Sequence, residues 1–291
     1  MAQTLAAFTD EPVEPAQSHG RWEAELRLGY RHNGHKTVLS ECHHRGPLAV
    51  QRALYPEGDV CHSHLLHPPG GVVGGDCLTV AIDVKEEAQT LVTTPGAARF
   101  YRSGGRVATL NQSLTVGENS RLEWLPLENI AFPNAHLKTR TDIQLSSRSQ
   151  FVGWEIWTLG QPASHQDFDN GVIDGLTTVS VDSQLILCER LRVNPSTLTH
   201  AEAALRGFPV IGCLFAYGDA ERLSALLKNW WAEREKPQSL ALGITDIDGL
   251  LAVRALAQDT EVMFQIMSEC WLQIRRHWTG KNPDVPRIWR T

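Results

Sequence analysis

From Arg21 to about Val193 the side chains alternate with period two, and beyond Asp219 the period lengthens to that of a helix. That change of register constrains the fold more than any motif does. Arg21-Trp22-Glu23-Ala24-Glu25-Leu26-Arg27-Leu28 alternates without error, as a half-buried strand must. Asn33-Gly34 follows, a dipeptide suited to a two-residue hairpin turn, and Thr37-Val38-Leu39-Ser40 reads as the return strand. Leu78, Val80, Ile82 and Val84 alternate with Thr79, Ala81, Asp83 and Lys85, and strand-like runs recur around Leu114–Val116, Leu122–Leu125, Ile143–Leu145, Phe151–Leu159 and Leu185–Val193. Many short strands with few helical patterns between them predict a mainly β body, antiparallel or solenoid-like, rather than a βαβ sheet.

In the last quarter, Leu223, Leu226, Leu227, Trp230 and Trp231 share one helical face, opened by an Asp219 cap and stopped by Pro237, which predicts a helix near 219–236. A second helix near 260–278 carries Met263, Met267, Cys270, Trp271, Ile274 and Trp278 on one side. A hairpin turning at Asp248-Gly249 is expected between them. Core packing explains both stripes; a face of Met267, Trp271 and Trp278, with Arg287 and Trp289 of a docking tail at 281–291, is the partner-binding alternative.

At 291 residues the chain is long enough for about two domains or one large β-rich one; the reading here is a flexible leader at 1–20 and one β-rich domain at 21–291. The net charge of -6 excludes the basic surplus of a nucleic-acid binder. No apolar stretch approaches the roughly 20 residues of a membrane-spanning helix. Six cysteines without a CxxC pair, behind a leader without basic residues, read as reduced thiols in the cytoplasm.

His67-Pro68-Pro69-Gly70-Gly71-Val72-Val73-Gly74-Gly75-Asp76 is not a phosphate loop: its prolines remove amide donors, no Lys follows, and a strand comes next. Its glycines predict a folded loop of specific shape. Nearby, Cys61, His62, His64 and His67 offer soft ligands without completing a catalytic zinc set.

Three carboxylates are more informative. Parity places Glu189 on the face of Leu185, Leu187, Leu191 and Val193, and Asp76 on that of Leu78 and Val80. Glu155 lies in Phe151-Val152-Gly153-Trp154-Glu155-Ile156-Trp157, apolar on both faces, so it is buried either way. Burying a bare carboxylate costs several kcal/mol. Either arginines such as Arg99, Arg102 and Arg121 pair with these acids, or the interior handles a cation.

The chain resembles the UreD (UreH) family of urease accessory proteins. The matching runs are His44-Arg45-Gly46-Pro47-Leu48, Leu54-Tyr55-Pro56-Glu57, Cys61-His62, the glycine loop, Thr94-Pro95-Gly96-Ala97, Phe100-Tyr101-Arg102, Leu122-Glu123-Trp124-Leu125-Pro126 and Pro286-Arg287-Ile288-Trp289, in order over about Arg21 to the C-terminus. Ala98 departs from the small hydroxyl residue the family often has there. The resemblance implies a non-enzymatic scaffold and nickel conduit that binds UreF directly and the GTPase UreG through it, and docks on the urease apoprotein. It implies no tightly bound cofactor and only transient nickel, for which parity nominates Asp76, Glu155 and Glu189, with Cys61, His62 and His67 beside them. A structural clamp that carries no nickel, and a metal-dependent hydrolase built on Cys61, His62, His64 and His67, are the alternatives.

Overall fold

The alternating segments do form strands, and they wind. A computed structural model describes residues 22–194 and 204–290, so the leader at 1–20 and the last residue of the tail lie outside the described residues. In chain order the strands are β1 (Glu23–His32), β2 (Thr37–Arg45), β3 (Ala49–Val50), β4 (Cys61–Leu66), β5 (Cys77–Val84), β6 (Gln89–Thr93), β7 (Ala98–Phe100), β8 (Ala108–Val116), β9 (Arg121–Leu125), β10 (Asn129–Ala131), β11 (His136–Leu145) and β12 (Gln150–Leu159). They continue as β13 (Val172–Val181), β14 (Gln184–Val193), β15 (Val210–Tyr217), β16 (Leu240–Ile247) and β17 (Leu250–Ala257), with helices α1 (Ala220–Ala232) and α2 (Thr260–Thr279).

Successive strands go alternately to two facing sheets. One sheet runs β14-β13-β11-β8-β5-β1-β2 and the other β16-β17-β15-β12-β9-β6-β4-β3, with β10 pairing both β12 and β7. The strands β1, β5, β8, β11 and β13 are mutually parallel, as are β4, β6, β9 and β12. The body is therefore a stack of solenoid coils, extended by antiparallel strands at both ends.

Because neighbouring coils are in register, residues of one parity stack into ladders that point into the lumen. Leu28, Ile82, Leu114, Ile143 and Val179 form one such ladder, each at most 4% exposed. These branched side chains fill the lumen at this level and fix the sheet separation. The other face of the second sheet is covered by the two helices, so β12 is the middle of three layers. Phe151, Trp157 and Leu159 pack toward the lumen, and Val152, Trp154 and Ile156 toward the helices.

Local chemistry departs from expectation in three places. The loop at Asn33-Gly34 spans four residues, 33–36, with the Asn33 side-chain oxygen accepting from the Lys36 amide at 3.0 Å. Asp219 does not cap α1 through its side chain; its carboxylate accepts from His277 Nε2 at 2.9 Å, tying the start of α1 to the end of α2. α1 also stops at Ala232, short of Pro237. The Asp248-Gly249 turn is a two-residue hairpin with both φ positive, as its sequence demands.

Candidate functional site

One rung along from the apolar ladder the lumen changes character. Leu26, Val80, Gln112, Thr141, Thr177 and Glu189 are successive cross-strand neighbours, so the wall grows polar from one end of the stack to the other. Around these residues the lumen stays open as a cavity of about 370 Å³, with Gly175 and Gly153 in its wall, packed against Thr139 and the Phe151 ring. At one end it reaches the surface between the exposed Pro68-Gly70 turn and Gly96. At the other lie Glu155, Glu189 and Cys213.

Glu155, Cys213 and Arg254 are direct neighbours across β12, β15 and β17. Glu189 approaches them from the opposite sheet, with its Oε1 3.6 Å from Cys213 Sγ and its Oε2 2.9 Å from Arg254 Nε. Arg254 thus neutralises Glu189, while among the described residues no basic group reaches Glu155. Burial pushes the Glu155 pKa up to about 7, outweighing the lowering effect of the nearby Trp157 indole, with the negative charge of Glu189 adding to the rise. Its Oε1 has no hydrogen-bond partner, and neither has the neighbouring Trp157 indole nitrogen. Cys213 is held as a thiol, pushed up first by burial and then by the charge of Glu189. The arrangement is one carboxyl poised between protonation states, beside one neutralised acid and one silent thiol.

The other predicted ligands are spent elsewhere. Asp76 is buried but does not line the cavity: its Oδ2 accepts from the Val73 amide at 3.0 Å and its Oδ1 from the Trp22 amide at 3.3 Å, so it clamps the glycine loop. His62 Nε2 lies 3.0 Å from Glu57 Oε1, and His64 Nδ1 lies 3.0 Å from Gln51 Oε1. Cys61 is buried on the lumen side of β4, where desolvation raises its pKa. His67 stands at the cavity mouth, its pKa lowered by burial. Among the described residues no three His, Cys, Asp or Glu side chains are placed to hold a metal ion, so the hydrolase site does not assemble.

Pro68 and Pro69 carry the chain around the mouth into the loop that Asp76 holds. Gly71 and Gly74 are there because the loop lies on other backbone: a Cβ on Gly74 would stand 2.4 Å from the Ser103 carbonyl oxygen, and one on Gly71 2.2 Å from the Tyr101 ring. Gly70 and Gly75 supply positive φ.

Sequence reasoning passed over the largest buried charge network. Glu123 is 0% exposed, accepts hydrogen bonds from Arg121 Nε at 3.1 Å and the Trp271 indole N–H at 2.7 Å, and forms an ion pair with Arg275, whose Nε lies 3.1 Å away. Arg275 also reaches Glu57 at 2.9 Å. Glu57 is held below its usual pKa: burial opposes the shift, but the His62 hydrogen bond and the Arg275 charge outweigh it. These contacts lock α2 onto the solenoid. They also correct the partner-facing expectation, because Met267 and Trp271 are 0% exposed and face the sheet. Trp278 donates to the Gly218 carbonyl at 2.8 Å, and Trp289 packs on Trp154, Phe264 and Trp271 while donating to Thr93 Oγ1 at 2.9 Å. The tail docks on its own chain; of the five residues, Arg287 remains exposed.

Fold and site define a β-solenoid body with an internal, mainly apolar cavity that carries Gln112, Thr141, Thr177, Glu155 and Glu189 in its wall, and among the described residues no closed metal cage. Comparison with known proteins narrows this. Residues 23–290 match the family described as UreD urease accessory protein. A protein of Vibrio parahaemolyticus is 44% identical over 278 residues, covering 95% of this chain and 99% of its own length. One from Escherichia coli is 43% identical over 274 residues, covering 93% and 97%, and one from Aliivibrio fischeri is 42% identical over 281 residues, covering 94% and 98%. All three are named urease accessory protein UreD. The chain belongs to the UreD family of urease accessory proteins.

Proposed function

We propose that the chain serves urease maturation as a non-catalytic scaffold through whose lumen nickel passes to the urease apoprotein, bound to UreF and through it to the GTPase UreG. The observation that carries this reading is the unpartnered Glu155 carboxyl in the cavity wall, with a pKa raised to about 7. A divalent cation arriving there exchanges with a proton that is already half dissociated. When the cation leaves, reprotonation restores a neutral wall. Oxygen ligands hold nickel more loosely than a thiolate and imidazole cage, and Cys213 stays protonated, so the passage binds without trapping. Gln112, Thr141 and Thr177 give the moving ion and its waters a polar side to follow.

The commitment of Glu189 to Arg254 favours the competing reading, a clamp that reshapes urease without carrying nickel. The experiment that separates them is co-expression with urease and its accessory proteins. Glu155→Gln should lower the nickel content of urease severalfold while the accessory complex still co-purifies. Filling the lumen with Thr141→Leu and Thr177→Leu should do the same. If urease is fully loaded in both variants, the clamp reading replaces the conduit.

A further inference from the structure

Three arginines stand around the open end of the cavity, and none is paired among the described residues. Arg99 lines the mouth itself. Arg102 lines an adjoining groove with Val73, Tyr101, Phe132, Pro133 and Gln166. The Arg106 guanidinium lies over the glycine loop, with Nη1 3.4 Å from where a Cβ on Gly75 would be. Backbone hydrogen bonds hold all three segments against that loop: Val72 N to Arg99 O at 2.7 Å, Tyr101 N to Val72 O at 2.9 Å and Gly75 N to Val107 O at 3.2 Å. All three arginines are exposed, and their side chains make no hydrogen bond or ion pair with any described residue. The buried acid below them, Asp76, has both oxygens committed to backbone amides. Asp167 and Asp169, exposed in the neighbouring loop, pair with none of them.

The groove floor is apolar and rigid. Tyr101 and Phe132 pack with centroids 4.9 Å apart, the Tyr101 hydroxyl donates to the Gly70 carbonyl at 3.4 Å, and Val73 and Val107 are 46% and 49% exposed. Forked guanidiniums around an aromatic floor recognise carboxylates flanking an apolar side chain. A nucleic acid would want a wider basic field than three residues on a chain of net charge -6.

We infer that an acidic segment of a partner protein, carrying an aromatic or aliphatic anchor, docks in this groove and neutralises the arginines that otherwise repel a divalent cation from the cavity mouth. The inference rests on the conduit reading for its second half and on the groove alone for its first. An unoccupied mouth is electrostatically shut to nickel. A docked acidic segment opens it, so cation entry is coupled to assembly.

The test uses the full chain, a fluorescent synthetic peptide of alternating Asp and Phe, and its Lys-for-Asp counterpart. Anisotropy should show salt-dependent binding of the acidic peptide only, weakened about tenfold or more by Arg102→Glu with Arg106→Glu and unchanged by Arg31→Glu, a distant exposed control. Equilibrium dialysis should show nickel bound more tightly when the acidic peptide is present. Arg102→Gln with Arg106→Gln should reproduce that gain without peptide. Circular dichroism confirms that each variant folds. Absence of acidic-peptide binding, equal binding to the charge-reversed variant, or capture of heparin in place of the peptide overturns the docking. Peptide binding that leaves nickel affinity unchanged overturns the coupling. The conduit itself fails separately, if Glu155→Gln leaves nickel binding untouched, because the anisotropy arm contains no nickel.

Discussion

Replacing Glu155 by Gln converts a group that titrates near neutrality into one fixed in the neutral form, and the cost of ionising the native side chain can then be read as stability. The folded pKa of about 7 lies above the ordinary carboxylate value of 4.5. The folded state therefore favours the protonated acid. Relative to Gln, wild type is at its best below the unfolded value, loses ground as pH rises between the two values, and levels off above the folded one. At about 1.4 kcal/mol per unit the full penalty is about 3 kcal/mol, and the part falling between about pH 5 and about pH 8 is about 2.5 kcal/mol. Urea denaturation of both proteins at the two pH values gives this as a difference of differences, which cancels any pH-independent cost of the amide. Wild type should lose about 2.5 kcal/mol relative to the variant on going from the acidic to the alkaline condition. A stability gap that does not move with pH, or one that moves the other way, would refute the claim that Glu155 is a buried and unpartnered acid. In the same range, nickel binding by wild type should release a proton and tighten about tenfold per pH unit below neutrality.

Other substitutions probe the frame around the passage. Arg275→Met leaves Glu123 and Glu57 without their shared cation and should cost about 3–5 kcal/mol in urea denaturation; a loss under about 1 kcal/mol means the network is not what seats α2. Trp289→Ala removes an indole from a cluster of four aromatic rings and should cost about 2–4 kcal/mol, with a loss of near-ultraviolet circular dichroism; an unchanged spectrum would mean the tail is not docked. Gly74→Ala drives a methyl into the Ser103 backbone and should cost about 1–3 kcal/mol and raise hydrogen exchange at the Val73 amide, whereas Gly243→Ala, likewise without positive φ but with open space around its Cβ, serves as the control for losing a glycine without a clash.

Much of this was legible because period two is a strong signal when one face of each strand looks into a lumen. The inward parity of Leu187, Glu189, Leu191 and Val193 is as the alternation predicts. Leu185 escapes it: the β13–β14 pairing skips a residue between Leu185 and Leu187, and Leu185 is turned out to 56% exposure. The alternation admitted a solenoid-like body, as found, but the order in which the strands stack was not legible. It depends on which strand each segment neighbours, and the coils share a shape without sharing a repeated sequence. Asp76 shows a second limit, since parity located the buried side but not the partner. The amides of Trp22 and Val73 that occupy its oxygens belong to backbone, which leaves no trace in side-chain pattern. Met267 and Trp271 were readable as an apolar stripe, and burying such a stripe against the helix-facing side of a sheet needs no partner protein.

The comparison of Glu123 with Glu155 separates a structural acid from the one on which the proposed passage rests. Both sit on the doubly covered strands of the second sheet, β9 and β12, and the rule that found Glu155 applies equally to Leu122-Glu123-Trp124-Leu125. Glu123 falls on the rung of Val152, toward the helices, where two guanidiniums and an indole satisfy it. Glu155 falls on the opposite parity, toward the lumen and beyond the last β9 partner of β12, in the cavity wall and, among the described residues, without a cation beside it. A carboxylate surrounded by fixed positive charge has nothing to gain from a mobile cation. One that must hold a proton to remain in place gains a great deal, and loses it again when the cation moves on. The two glutamates thus differ in setting: the fully buried Glu123 fastens a helix, and the half-buried Glu155 in the cavity wall, which no cation reaches among the described residues, is the acid proposed to meet an ion.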